Sequence, residues 1–261
     1  MSLLQVEGLG ISFGGVKAVN DVSFALDAGK IVSVIGPNGA GKTTLFNMIS
    51  GVYLPKSGKV RLDGEDVTGM RPDLLAGRGM SRTFQNLQIF HEMSVLENVI
   101  VGFHMHERGP VLSDLLGLPG SRRRSRAAAE GARVLLERVG LERAAEREAG
   151  ALSYGALKRL EIARALAARP RVLLLDEPAA GCNAVETEEI DRLICEVART
   201  GVAILLVEHD MKLVMRLSDT IVVLDHGEKI AEGDPAVVSR DPKVIEAYLG
   251  AGTTEALHAH G

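Results

Sequence analysis

A lysine and two threonines close a run of small residues at a spacing that suits phosphate chemistry. Gly36, Pro37, Asn38, Gly39, Ala40, Gly41, Lys42, Thr43 and Thr44 fit the pattern G-x-x-x-x-G-K-[ST]. Glycines let successive backbone N–H groups turn inward around phosphate oxygens, and a helix beginning at the lysine adds the partial positive charge of its N-terminus. In that setting Lys42 would sit on the β and γ phosphates of a nucleotide and the Thr43 hydroxyl on Mg2+. A glycine-rich turn without function is the bland alternative. It does not account for the apolar, β-branched run at 30–35 before the loop and the helix-like stretch at 44–50 after it, which Gly51 stops.

Further along lie groups that could act on such a phosphate. Val172, Leu173, Leu174 and Leu175 read as a buried strand that delivers Asp176 and Glu177 at its carboxyl end, where parallel α/β sheets place their ligand-handling groups. A second strand at 203–207 ends in Glu208, His209 and Asp210. Ser153 and Gly155 stand at the start of a helical pattern that runs to Ala168, and a serine with a glycine at a helix start makes an anion site. Phe13, shortly before the loop, is open between stacking on an adenine and an ordinary place in a sheet. The pairs His104/His106 and His258/His260 have no further ligands nearby and read as exposed loop and tail residues.

The elements that must position these residues follow from periodicity. Residues 3–13 and 17–26 alternate apolar and polar positions around Gly14 and Gly15, as strands of an antiparallel layer. Residues 58–64 read as a strand and turn. From 86 to about 152 the character becomes helical. Ser94 and Glu97 have capping-box form, residues 110–120 read as loop or short helix, and Ala128, Ala132, Leu135, Leu136 and Val139 recur at helical spacing. The stripe Ile190, Leu193, Ile194 and Val197 marks one more core-facing helix, residues 221–224 and 229–231 flank a hairpin turn, a last helix is expected at 242–249, and 251–261 reads as a loose tail.

Composition bounds the possibilities. The 261 residues are 46% hydrophobic and 25% charged, enough for a sizeable core, and a net charge of −4 argues against a protein whose main task is to hold nucleic acid. The basic cluster of Arg122, Arg123, Arg124 and Arg126 has no aromatic residues interleaved for base stacking and reads as a solvated loop leading into a helix. Two cysteines, no signal-like start and no apolar run long enough to span a bilayer point to the cytoplasm.

With Gly36 to Thr43, Gln85, Leu152 to Ala156, Asp176 with Glu177, and His209 in this order, residues 3 to 250 resemble the nucleotide-binding subunit of ATP-binding-cassette (ABC) transporters. Residues 82–86, 160–164, 176–181, 207–215 and 244–250 narrow the resemblance to the branched-chain amino-acid importer ATPases. The resemblance implies an α/β fold. Its P-loop NTPase (RecA-like) core with an antiparallel β layer would span 3–85 and 153–250, with a helical subdomain inserted at 86–152. It also implies ATP and Mg2+ as ligands and two subunits, identical or sister, pairing head to tail. Each ATP would then lie between the phosphate loop of one subunit and Ser153, Tyr154 and Gly155 of the other. By the same resemblance Asp176 holds Mg2+, Glu177 acts as general base, His209 reaches the γ-phosphate, Gln85 touches Mg2+ or the attacking water, and Phe13 stacks on adenine. The implied partners are membrane permease subunits and, through them, a periplasmic solute-binding protein, which puts the subunit on the inner face of the cell membrane.

Two departures from the family pattern stand out. Tyr154 and Ala156 replace the third and fifth residues of the usual L-S-G-G-Q, and Cys182 and Asn183 stand where leucine and often aspartate occur. The competing classes are the ATPase of a lipopolysaccharide or other exporter, a DNA-repair or chromosome clamp, and a catalytically silent binding module. The short insertion argues against the clamp, and intact Lys42, Glu177 and His209 argue against the silent module. Finally, Leu87, Ile89, Phe90, Met93, Val95 and Leu96 are more apolar than a short insertion needs, so part of that surface is expected to meet a partner, unless Ile89, Phe90 and Leu96 simply pack the insertion onto the core.

Overall fold

Leu173 and Leu175 point to one side of a sheet and Val172 and Leu174 to the other, and the two sets enter different apolar clusters. Ile204 and Leu206 follow the first set, Ala203, Leu205 and Val207 the second. A period of two with apolar residues in both phases is what a sheet buried on both faces requires. In the computed structural model, which describes residues 2–83, 87–103 and 119–248, this sheet has six strands. Gln85, His104, His106, His258, His260 and the tail at 251–261 lie outside the described residues.

The six strands run in the order β10 (Glu228–Gly233), β9 (Thr220–Asp225), β3 (Ile31–Ile35), β8 (Ala203–Val207), β7 (Val172–Asp176) and β6 (Met80–Arg82). All pairs are parallel except β9 with β10, whose antiparallel hairpin closes the edge. Its turn residues His226 and Gly227 both have positive φ, 43° and 83°, as a two-residue turn that matches strand twist needs. A second, four-stranded antiparallel sheet has the order β2 (Val16–Leu26), β1 (Leu4–Phe13), β4 (Ser57–Leu62) and β5 (Glu65–Asp66). Leu4, Val6 and Leu9 of β1 and Val22, Phe24 and Leu26 of β2 form one cluster with Leu45, Phe46 and Ile49 of helix α1 (Lys42–Ile49) and the lower face of the parallel sheet.

Helix α2 (Pro72–Gly77) and strand β6 are among the elements that the periodic pattern of the sequence does not show. The helix begins on its proline, which suits a first helical position, and leads into the edge strand β6. Between β6 and the next sheet strand in sequence come α3 (Val95–Phe103) and α4 (Pro119–Arg138). The Ser94 capping box forms, with Glu97 N–H donating to Ser94 Oγ at 3.1 Å and Ser94 N–H to Glu97 Oε2 at 2.8 Å. The basic cluster, expected in a loop that leads into a helix, lies within the helix itself, because α4 starts nine residues before Ala128, the first buried position from 123 on.

Val95, Val99, Ala132 and Leu136 share one apolar cluster with Leu160 of α5 (Tyr154–Ala167), Ile190 and Leu193 of α6 (Ala184–Arg199), and the upper sheet face. Ile89 and Leu96 belong to it too, each 8% exposed, whereas Phe90 is 50% exposed. Helices α3 and α5 meet at Gly102, where a Cβ would come within 2.3 Å of the Arg164 carbonyl oxygen. Short helices α7 (Met211–Leu217) and α8 (Pro235–Val238) and a helix at 242–248 cover one face of β9 and the end of β3.

Candidate active site

The loop between β3 and α1 lines a cleft of 560 Å3 with Asn38, Gly39, Ala40, Gly41, Lys42, Thr43 and Thr44 on one wall and Glu177 on another. Gly36 and Gly41 have positive φ, 152° and 98°, and crowding also demands glycine at both. A Cβ on Gly36 would approach the Leu224 carbonyl oxygen to 2.1 Å, and one on Gly41 the Ala18 oxygen to 2.4 Å. Lys42 Nζ donates to the carbonyl oxygens of Gly36 and Pro37 at 2.7 and 3.0 Å, so its ammonium is held over the mouth of the loop. Burial pushes its pKa down, with Glu177 and Asp176 acting in the opposite sense. The hairpin turn braces the loop from outside: Gly227 N–H donates to Ala40 O at 3.1 Å and Asn20 N–H to Gly227 O at 2.8 Å. That contact brings His226 into the cleft wall.

Asp176 ends β7 and is almost wholly buried; burial raises its pKa, and Arg82 pulls it back. Arg82 Nη2 donates to Asp176 Oδ2 at 2.9 Å, while Nη1 donates to Asn47 Oδ1 and Ser50 Oγ of α1, each at 2.7 Å. Glu177 follows with φ +47°, a strained conformation for a side chain of its size, and its N–H donates to Val207 O at 2.9 Å. That turn out of the sheet is what directs the next carboxylate to the cleft. His209 Nδ1 stands 3.8 Å from Glu177 Oε1 and 3.9 Å from Glu208 Oε2. Glu208 is buried, its pKa raised by burial, and accepts from the N–H groups of Ala179 and His209. Asp176 and Thr43 offer the hard oxygen donors that Mg2+ takes when most of its shell is phosphate and water.

Ser153, Tyr154 and Gly155 do not line this cleft. Ser153 caps α5, its Oγ accepting from Ala156 N–H at 3.3 Å, and the same hydroxyl donates to Glu186 Oε1 at 3.0 Å. Gly155 N–H donates to that same oxygen at 3.2 Å. Ala156 is buried in the main apolar cluster, and the half-exposed Tyr154 ring borders Gly181. From α5 the buried Lys158 sends Nζ to 3.4 Å from the Glu177 carbonyl oxygen, tying the two segments together. Phe13 is not a wall of the cleft; Val16, Lys17 and Ala18 are. It stands 48% exposed at the end of β1, with the Tyr53 ring edge-on at 5.5 Å. Cys182 has its thiol pKa raised by burial, and it packs against the apolar cluster.

Among the contacts above, those of Arg82, Lys158, Glu186 and Glu208 were not assigned from sequence. Arg82 and Glu208 stand within recognisable stretches, but only the fold shows what they touch.

A sequence model described as ABC transporter matches residues 19–180, more than half of the chain. The chain belongs to the ABC transporter family. A second model, described as branched-chain amino acid ATP-binding cassette transporter, matches residues 228–253. Among curated ABC proteins, the high-affinity branched-chain amino acid transport ATP-binding protein BraF of Pseudomonas aeruginosa is 48% identical over 95% of this chain and 98% of its own. Of solved ABC structures, the ATP-binding cassette MJ1267 in its ADP conformation superposes with a TM-score of 0.84 at 35% identity, covering 96% of this chain and 99% of that one. The dimeric post-hydrolysis state of the cassette MJ0796, bound to ADP and Pi, gives 0.74 at 25% identity over 89% of this chain and 98% of that one. The expected fold, a P-loop ATPase core with an antiparallel layer, is thus the observed one.

Proposed function

We propose that this protein is the ATP-binding and ATP-hydrolysing subunit of an importer for branched-chain or related amino acids, acting through separate membrane permease subunits. The observation that carries the reading is one cleft walled by the phosphate loop with Lys42 and by Glu177, in a chain 48% identical to BraF over nearly its whole length.

The backbone N–H groups of 38–43 and the start of α1 bind the phosphates, and Lys42 exchanges its two carbonyl partners for β and γ oxygens. Thr43, Asp176 and Gln85 are the residues that would hold Mg2+. When bound, the metal neutralises charge on the phosphates. Glu177 orients water and accepts its proton, and the neighbouring His209 steadies the γ-phosphate. Phe13, with Tyr53 braced against it, stacks on adenine. Ser153, Tyr154 and Gly155 complete the site of a second subunit, as two cassettes facing head to tail would require.

The permease contact is proposed for a groove of 360 Å3 between the core and the inserted helices. Leu75 and Ala76 of α2, Val101 and Gly102 of α3, Ala165 of α5 and the Ala168 that follows that helix line it, with Met80 and Arg82 from β6. Phe90 stands at its edge, 5.8 Å from the Arg164 guanidinium that lines it. An apolar trough flanked by one aromatic suits a short amphipathic helix from a membrane subunit. That contact would hold the protein peripherally at the inner membrane face. Among the described residues no helix is long and apolar enough to cross a membrane.

The test is uptake of labelled leucine in cells that lack this subunit, with a binding protein and permease in place. Wild type should restore uptake and Glu177→Gln should not. Equal uptake with and without the subunit would overturn the assignment.

A further inference from the structure

The oxygen Oε1 of Glu186 takes two hydrogen bonds from the loop at the start of α5. Ser153 Oγ–H and Gly155 N–H, the two donors at the start of α5, converge on it at 3.0 and 3.2 Å. A carboxylate, like a phosphate, offers only acceptors, so it satisfies this pair of donors as an anionic ligand would. The fit is close. A Cβ added to Gly155 would lie 2.4 Å from Glu186 Cδ and 2.6 Å from Cγ, so the side chain lies flush against the glycine that the loop otherwise offers to an incoming group.

We infer that Glu186 occupies the anion position of the Ser153–Gly155 loop in the free subunit and must leave it before the loop can take the γ-phosphate of ATP held by a second subunit. This rests on the two-subunit reading proposed above. Two anions cannot share one pair of donors, and each would repel the other across a gap of hydrogen-bond length.

The structure also shows how the carboxylate can leave at small cost. Its other oxygen, Oε2, accepts from Asn183 N–H at 3.2 Å and closes a capping box at the start of α6. The Asn183 side chain independently accepts from Val185 N–H and Glu186 N–H, both at 3.0 Å. The helix start therefore stays capped when Glu186 swings away. The residue is half-buried and borders solvent, which gives the departing charge a hydrated place to go. Glu186 is thus a positioning residue: it keeps the donors aligned while no phosphate is present, and sets a threshold that nucleotide must exceed to close the pair.

The experiment compares Glu177→Gln with Glu177→Gln/Glu186→Gln by size-exclusion chromatography across a MgATP titration, with the melting temperature measured on each. Glutamine keeps a carbonyl oxygen for Asn183 N–H but removes the charge. The double variant should dimerise at about fivefold lower ATP, the scale of one like-charge contact in partly exposed surroundings. An equal or higher ATP requirement, with melting temperature unchanged, overturns the inference. If Glu177→Gln itself stays monomeric at saturating ATP, self-pairing is what fails. The Glu186 contact is then decided in the monomer, where Glu186→Gln should speed hydrogen exchange at the Gly155 amide and unchanged exchange overturns it.

Discussion

Arg82 Nη2 lies 2.9 Å from Asp176 Oδ2, and the two side chains are only 10% and 3% exposed. The same guanidinium bonds Asn47 and Ser50 and lies 5.4 Å from the Phe46 ring, so one cation joins the edge strand β6, the strand β7 that ends in Asp176, and the helix behind the phosphate loop. It also lines the groove proposed for the permease. Removing it would strand a buried carboxylate. Arg82→Ala should therefore cost about 3–5 kcal/mol in urea unfolding, and Arg82→Ala/Asp176→Asn clearly less than the sum of the single changes. A loss under about 1 kcal/mol in Arg82→Ala would mean the pair does not support the fold.

Lys42 and Glu177 face the same cleft but differ in what they should do. Glu177→Gln keeps every phosphate contact, so it should bind MgATP as wild type does while hydrolysing it about 10²–10⁴-fold more slowly. Lys42→Ala should weaken binding itself. A fluorescence titration separates the two: equal ATP affinity in both variants would contradict this division of roles, and near-wild-type turnover in Glu177→Gln would remove it from catalysis.

Glu208 gives the site a pH signature. Burial raises its folded-state pKa above the ordinary 4.5, partly offset by two backbone donors. Between the unfolded and folded pKa values the native state binds more protons than the unfolded chain, so stability falls as pH rises through that window. The contribution is fully present below the unfolded value and lost above the folded one. Glu208→Gln keeps an oxygen for Ala179 N–H and has no charge to bury. Its melting temperature relative to wild type should rise from pH 4 to pH 8, and a flat difference would show that the carboxylate is not strained.

How much of this was legible in sequence depends on distance along the chain. The phosphate loop, the carboxylates at the end of β7 and the Ser94 capping box are local patterns, and each forms as its spacing implies. Strand β6 has three residues, two of them polar, too few to show a period. The first turns of α4 carry glycine and arginines and no apolar stripe, so the pattern emerges only at Ala128. Arg82 meets Asp176 across 94 residues, and Ser153 meets Glu186 across 33. Pairings of that kind are set by strand order and helix packing. No spacing rule contains them.

The apolar stretch at 87–96 divides cleanly, and the division decides what a mutation there can report. Ile89, Val95 and Leu96 are interior, so for them the packing reading holds. Phe90 is different: Asn98, wholly buried, accepts from Phe90 N–H at 3.0 Å and donates to Phe90 O at 2.9 Å, which pins the backbone and leaves the ring half in water. A polar side chain spent on fixing the backbone under an exposed aromatic makes sense if the ring is presented to something. Phe90→Asp should therefore change stability by less than about 0.5 kcal/mol and leave basal ATP hydrolysis intact, while abolishing copurification with the permease and leucine uptake. Ile89→Asp, one residue away, places a charge in the core and should cost about 3 kcal/mol or more with basal activity falling alongside. If both variants lose stability and hydrolysis together, the segment is core throughout, and the docking surface must be sought beyond the edge of this groove.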